Sequence, residues 1–238
     1  MSITTKTTLW LLLALGAAAC DEGASEPLLD RERVLAVRVS PPSLEAEESG
    51  AIDVLVGRAD GSIDVVAPAA VAVDLPGGDA GGRMVTGGAQ GWTVTCPPAE
   101  ALAELRAQSG LPEDAPVVVP LAIEVEVDGV TLAAGKSVLL GADGDNPTLA
   151  GLAVDADEAD DGALVVERDA EVAIAAEGAA VDDGEPAYAW YTSVGDIDLY
   201  RSESAVMTAG DPGRGPLVLV LRDDHGGVTW TWRDVRVE

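Results

Sequence analysis

A chain of 238 residues carrying 42 acidic against 14 basic side chains, with a formal net charge of -28, is a poor candidate for nucleic-acid binding, because phosphate contacts need clustered Lys and Arg. An apolar content of 47% argues against disorder despite the charge, since low hydrophobicity is the other half of that signature. Aromatic residues amount to 3% and phenylalanine is absent, so a core here is built from Val, Leu, Ile and Ala, with Trp and Tyr at few places. The excess of carboxylates fits a hydrated, non-aggregating surface.

In chain order the first element is an apolar run from Leu9 to Ala19, preceded by Lys6 and ending in Ala17-Ala18-Ala19-Cys20. A basic n-region, an apolar stretch of about 7–15 residues and small residues before a cleavage point describe an export signal. Spanning a membrane takes about 18 or more apolar residues, and Asp21 and Glu22 follow at once. The cysteine directly after the small residues resembles the bacterial lipobox, with alanine where leucine often stands at the third position before it. That resemblance implies a diacylglycerol on Cys20, cleavage before it and acylation of the new amino terminus. Residues 1–19 are then a lipoprotein signal peptide. Residues 20–33, polar and without period, are expected to form a flexible tether. With Cys20 lipidated, Cys96 has no partner within the chain, and no disulfide framework supports the fold.

Beyond the tether, short β-branched runs alternate with Gly, Asp and Pro. Val34 to Val39 ends at Ser40-Pro41-Pro42, and Ala51 to Val56 ends at Ala59-Asp60-Gly61-Ser62; period-2 patterning with Asp-Gly turns predicts strands joined by hairpins. Val65 to Asp74 predicts a third strand, Gly77 to Gly91 a loop or irregular edge, and Trp92 to Cys96 a further strand. Pro98 to Gln108 has good helix formers, an early proline and Gly110 just past its end, which predicts one short helix. Strands resume over Val117–Val127 and Val130–Leu140. The breaker-rich stretch 142–147 predicts a linker between a first domain, 34–141, and a second, 148–238. The second domain repeats the pattern, with strands expected at 148–154, 163–166, 171–176, 188–193, 204–208, 217–222 and 228–237.

About seven short strands per half without alternating helices predict an all-β protein of two tandem antiparallel β-sandwiches. Tyr188-Ala189-Trp190-Tyr191-Thr192-Ser193 resembles the third strand of immunoglobulin-like domains, where a central Trp packs between the sheets, and the hairpin Val218 to Val237 resembles their last strand pair. The cysteine pair of antibody domains is missing. Together with the lipobox, the chain resembles the acidic immunoglobulin-like lipoproteins of myxobacterial-type genomes, a group without an assigned activity. The resemblance implies fold and placement: a lipid anchor in the cell envelope, at the outer membrane or cell surface rather than the inner membrane. Asp21 favours inner-membrane retention in enterobacteria, a rule other lineages do not follow.

Candidate chemistry is sparse. His225, the one histidine, stands in Asp223-Asp224-His225-Gly226-Gly227, which reads as a solvated hairpin turn, and no second metal-ligand spacing or triad pattern accompanies it. Cys96, followed by Pro97-Pro98, reads as a buried apolar thiol. Asp143 and Asp145 at the linker, with Asp155 and Asp157 shortly beyond, are the candidate calcium ligands, since calcium takes six to eight oxygens; neither stretch matches an EF-hand loop. Trp230 and Trp232 face one side of the last strand. Inward packing is the expectation, while outward packing would give a sugar-stacking platform that Tyr200 could join. The reading is a lipid-anchored, non-catalytic binding or structural module without a cofactor, with envelope proteins or polysaccharide as partners met at an edge strand or loop. The alternatives are a calcium- or carbohydrate-binding envelope protein and, less favoured, an envelope hydrolase using carboxylates alone.

Overall fold

The computed structural model describes residues 27–73, 84–88, 90–182 and 184–238. The expected signal peptide, Cys20 and the first half of the tether, up to residue 26, lie outside them. The first half consists of β1 (Arg33–Ser40), β2 (Ser43–Leu44), β3 (Ser49–Gly57), β4 (Ile63–Val66), β5 (Ala70–Val73), β6 (Val85–Gly88), β7 (Gly91–Thr95), α1 (Ala99–Ser109), β8 (Val117–Val127) and β9 (Val130–Leu140). One sheet runs β1-β3-β7-β6, with β4 also paired to β3, and the other runs β2-β9-β8-β5. Alternation makes this sandwich: along β8, residues from Val117 to Val127 are buried and exposed in turn, as a strand with one face on the core requires. Val119, Leu121, Ile123 and Val125 meet Val39, Ile52, Val54 and Val94 of the opposite sheet in one apolar cluster.

The second half contains β10 (Gly151–Val154), β11 (Asp157–Glu158), β12 (Leu164–Val166), β13 (Glu171–Glu177), β14 (Ala187–Thr192), β15 (Gly195–Asp198), β16 (Ser204–Ala209), β17 (Gly213–Arg222) and β18 (Val228–Val237). Its sheets are β10-β13-β16-β15 and β11-β12-β18-β17-β14. Both halves follow one plan. The first, third-last and intervening strands form one sheet, the last two pair with the third long strand in the other, and a short strand lies parallel to the last one: β2 on β9, β12 on β18. This is the strand order of immunoglobulin-like sandwiches. Trp190 on β14 is fully buried and donates its indole N–H to the Ser202 carbonyl at 2.9 Å, packed in the second core as the resemblance to immunoglobulin-like domains implies.

Three local features differ from expectation. The strand expected over Val65 to Asp74 is, as far as Val73, two strands on different sheets, because Pro68 has no N–H with which to continue a ladder; Asp74 lies outside the described residues. Part of the glycine-rich stretch is strand, β6, and the short β2, β11 and β15 were not anticipated. The expected tether does not stay free to Arg33. Leu28 forms a parallel bridge with Thr192, Leu29 N–H donates to the Thr192 carbonyl at 2.7 Å, and Leu29 is 2% exposed. An apolar pair next to an open strand edge gains both burial and backbone hydrogen bonds there. The predicted helix is present as α1, ended by Gly110 at φ +68°.

Candidate functional site

The region with the most specific side-chain chemistry is where the two sandwiches meet. On β17, Leu217 and Leu219 point into the second core while Val218 and Val220 belong to a separate apolar cluster with Leu29, Leu35, Ala36, Leu55, Tyr191 and Val228. Both faces of β17 are therefore buried. The outer face of the β14-β17-β18 sheet rests on the outer face of β1 and β3, so this third cluster belongs to the joint rather than to either core.

Polar contacts close the joint around that cluster. Arg38 places its guanidinium 4.2 Å from the Trp230 ring centroid and pairs with Asp53 at 3.0 Å. Asn146, in the expected linker, donates to the Val39 carbonyl at 2.9 Å and accepts from the Val228 N–H at 2.7 Å. One side chain thus satisfies backbone groups in both sandwiches. Arg222 donates to the Leu35 carbonyl at 2.6 Å, and Lys136 on β9 donates to the Gly226 carbonyl in the β17–β18 turn. Burial pulls the Lys136 pKa down to about 8; Asp223 opposes the shift and Arg222 adds to it. A turn of the first sandwich also touches the second: a Cβ on Gly61, at φ +81°, would lie 2.5 Å from the Ser193 Cβ.

Beside the joint lies a cleft of about 350 Å³ whose walls include Ser43, Asp143, Asp145, Asp182, Asp223 and His225. Asp143 and Asp145 come from the connection between sandwiches, Asp182 from the β13–β14 loop, and Asp223 and His225 from the β17–β18 turn. Asp223 Oδ1 accepts the N–H groups of His225 at 2.9 Å and Gly227 at 2.7 Å, which fixes the turn. His225 is exposed, with Nδ1 3.1 Å from Asp224 Oδ1.

The structure does not bring the four candidate calcium ligands together. Asp143 and Asp145 line the cleft, whereas Asp155 lies in a shallow trough on the outer face of β10, β13 and β16, and Asp157 pairs with Val165 at the opposite sheet's edge. Among the described residues no group of three or more His, Cys, Asp or Glu side chains is arranged to hold a metal ion. The inward packing expected of Trp230 and Trp232 is also corrected: Trp230 is half-buried in the joint and Trp232 is 44% exposed. Val235 and Val237 already take the core side of β18. Tyr200 packs against the second core instead of joining the indoles, and Arg38 covers Trp230, so no open aromatic platform is formed. Cys96 is fully buried in the first core, where burial raises its pKa. Sequence reasoning missed Ser43, Lys136, Asn146 and Asp182, whose neighbours come from distant parts of the chain.

No family model matches the sequence, and no curated protein matches it. Among solved structures, the fibronectin(III)-like modules of Clostridium thermocellum CbhA align with 87% of this chain and 94% of theirs at 13% identity and a TM-score of 0.33. The N-terminal Ig1-2 module of the Drosophila receptor protein tyrosine phosphatase DLAR aligns with 87% of this chain and 99% of its own at 10% identity and a TM-score of 0.32. Likeness this loose carries no argument, and the immunoglobulin-like assignment rests on the strand order described above.

Proposed function

We propose that this protein is exported, anchored by lipid on Cys20 at the bacterial cell envelope, and acts there as a non-catalytic binding or structural module. The observation that supports the reading is the joint. Apolar outer faces of two sheets close on each other, and Asn146 ties the backbones of both sandwiches. Such a joint holds the loops of both units in one arrangement, which suits recognition or spacing and leaves no need for a moving catalytic element. The non-catalytic reading also has the support of Cys96, sealed in the core in its thiol form rather than as a reactive thiolate.

Mass spectrometry on the host membrane fraction, combined with protease shaving of intact cells, tests the reading. A diacylglyceryl-modified amino-terminal Cys20 on a shaving-sensitive protein is the expected result. An unmodified, uncleaved terminus would remove the anchor from the proposal and reopen Cys20 and Cys96 as a pair.

A further inference from the structure

We propose that the open edge of β9 takes an extended peptide segment of a partner protein as an added strand, with a carboxylate of that segment held between Lys136 and Arg222. The proposal rests on the reading of the chain as a binding module and names the edge it uses and the chemistry of its partner. The edge follows from the register. β8 and β9 pair from Val117 opposite Leu140 to Val127 opposite Val130, across the two-residue turn Asp128-Gly129, and backbone groups in an antiparallel ladder point at the partner strand and away from it in turn. Leu139 and Gly141 show which residues point away, since their N–H groups reach the Pro42 and Leu44 carbonyls. Thr131, Ala133 and Gly135 share that phase. β2 covers β9 only at Leu139 and Leu140, so among the described residues the outward N–H and C=O groups of those three have no backbone partner. The neighbouring β1 belongs to the other sheet. Between the two strands lies a cleft of about 380 Å³ whose walls include residues 34–37 and 133–137, within the lower range of ligand sites.

Charge supplies a second and independent observation. Lys136 and Arg222 both line this cleft, and neither forms an ion pair among the described residues, although Arg38, Arg58, Arg168, Arg214, Arg233 and Arg236 all do. Each spends an N–H on a backbone carbonyl, at Gly226 and at Leu35, and keeps others free for an anion. The two cations repel each other. The one carboxylate in the cleft wall, Asp223, already holds the N–H groups of His225 and Gly227. A positive cleft in a chain of net charge -28 therefore selects a carboxylate, bound by charge-assisted hydrogen bonds. Lysine on an exposed edge is a common guard against pairing, but the Lys136 amine is turned in to the Gly226 carbonyl. No acid stands on β9 to take over that role.

The β17–β18 turn bounds the edge at Ser137, where a Cβ on Gly226 would lie 3.2 Å from the Ser137 carbonyl oxygen. That denies a second sandwich the long flush edge it needs and leaves room for a slender strand, whose main chain supplies the missing partners. The carboxylate belongs at the Lys136 end, since Glu124 and Glu126 stand opposite Ala133 and Thr131 at the other. A terminal carboxylate requires the segment to run parallel to β9, whereas a Glu or Asp side chain allows either direction.

The probes are dansyl-Thr-Val-Thr-Val-Glu amide, the same peptide with Gln in place of Glu as the neutral amide, and that Gln peptide with a free terminal carboxylate. Each is titrated by anisotropy into the full chain in neutral detergent at physiological salt, where the Debye length is about 8 Å. Saturable binding at least tenfold tighter than that of the neutral peptide is expected for a carboxylate peptide, and whether the Glu or the free-acid form binds tells a side chain from a terminus. K136M, with unchanged circular dichroism, is expected to weaken binding at least tenfold, and R168M, which removes the same charge elsewhere on the surface, less than twofold. N-methylation of the tighter peptide reads the strand without altering the protein. Methyl groups on one alternate set of peptide nitrogens should abolish binding and on the other set change it less than twofold, because an added strand bonds the edge through one set alone. Equal loss from both methyl patterns, equal affinity for neutral and acidic peptides, equal weakening in K136M and R168M, or no saturable binding would each overturn the proposal. Because the titration is blind to the lipid, its failure leaves the envelope anchor standing, and an unmodified Cys20 leaves the β9 edge standing.

Discussion

Arg38 of the first sandwich stacks on Trp230 of the second, with 4.2 Å between guanidinium carbon and ring centroid, while the same guanidinium holds Asp53 of its own sheet at 3.0 Å. One arginine therefore couples the two units. A cation over an indole contributes about 0.5–2 kcal/mol, more as the pair is desolvated, and Trp230 is half-buried. In urea unfolding of the R38A/W230A cycle, a coupling of about 1 kcal/mol is expected. A coupling near zero would make the stacking incidental.

Gly61 of the first sandwich lies hard against the Ser193 side chain of the second. Alanine at 61 meets two penalties: a φ of +81°, where an L side chain is strained, and a Cβ 2.5 Å from that of Ser193. Gly61→Ala is expected to lower stability by about 2 kcal/mol or more. Ser193→Gly in that background should return the steric part and leave the backbone part of about 1 kcal/mol. If Ser193→Gly returns nothing, the turn does not press on the second sandwich.

That glycine also shows where sequence reading reaches and where it stops. Asp60-Gly61 is legible as a tight turn because positive φ is a local demand; that Ser193 closes over it is a tertiary fact. The alternating β8 declared its core face residue by residue. The unbroken apolar run Leu217–Leu221 carried the one signal of the joint, since a strand with no polar face has to be covered on both sides. The side on which Trp230 and Trp232 fall was not legible, because alternation gives a shared face and not its direction. Asp143 and Asp145 stood out as a local acidic cluster. Asp182 and Ser43 did not, because only the fold brings the β13–β14 loop and β2 to the same cleft.

Lys136 sets a pH dependence whose sign is opposite to that of a salt-bridged lysine. Burial lowers its pKa from 10.5 to about 8 in the folded protein. Between those values the unfolded chain binds the extra proton, so stability rises with pH across that window. Below pH 8 the charged amine is carried into the joint and the cost is constant. Chemical denaturation from pH 7 to 10 should show a rise that K136M flattens; the difference between the two curves removes contributions from Cys96 and Tyr188, whose pKa values burial raises. Parallel curves for the two proteins would place the Lys136 amine in water.

Leu29 ties the amino-terminal segment to the second sandwich. Its side chain is 2% exposed in the joint cluster, and around it the Leu29 N–H reaches the Thr192 carbonyl at 2.7 Å while the Thr192 N–H reaches the Pro27 carbonyl at 2.9 Å. Leu29→Ala removes buried methyl groups and is expected to cost about 2–4 kcal/mol. Leu29→Asp should release the segment from the sheet edge altogether. Hydrogen exchange then distinguishes local release from general loosening: the Leu29 and Thr192 amides should exchange at the rate of open backbone while those of β17 keep their protection. If Cys20 carries the proposed lipid, the closed clasp at Pro27 leaves residues 21–26 between anchor and sandwich, a reach of at most about 20 Å at 3.3–3.6 Å per residue. Releasing residues 27–32 doubles that reach, so neutron reflectometry on supported bilayers should find the sandwiches farther from the membrane in Leu29→Asp than in the native protein. An unchanged distance would mean that the clasp does not limit the tether.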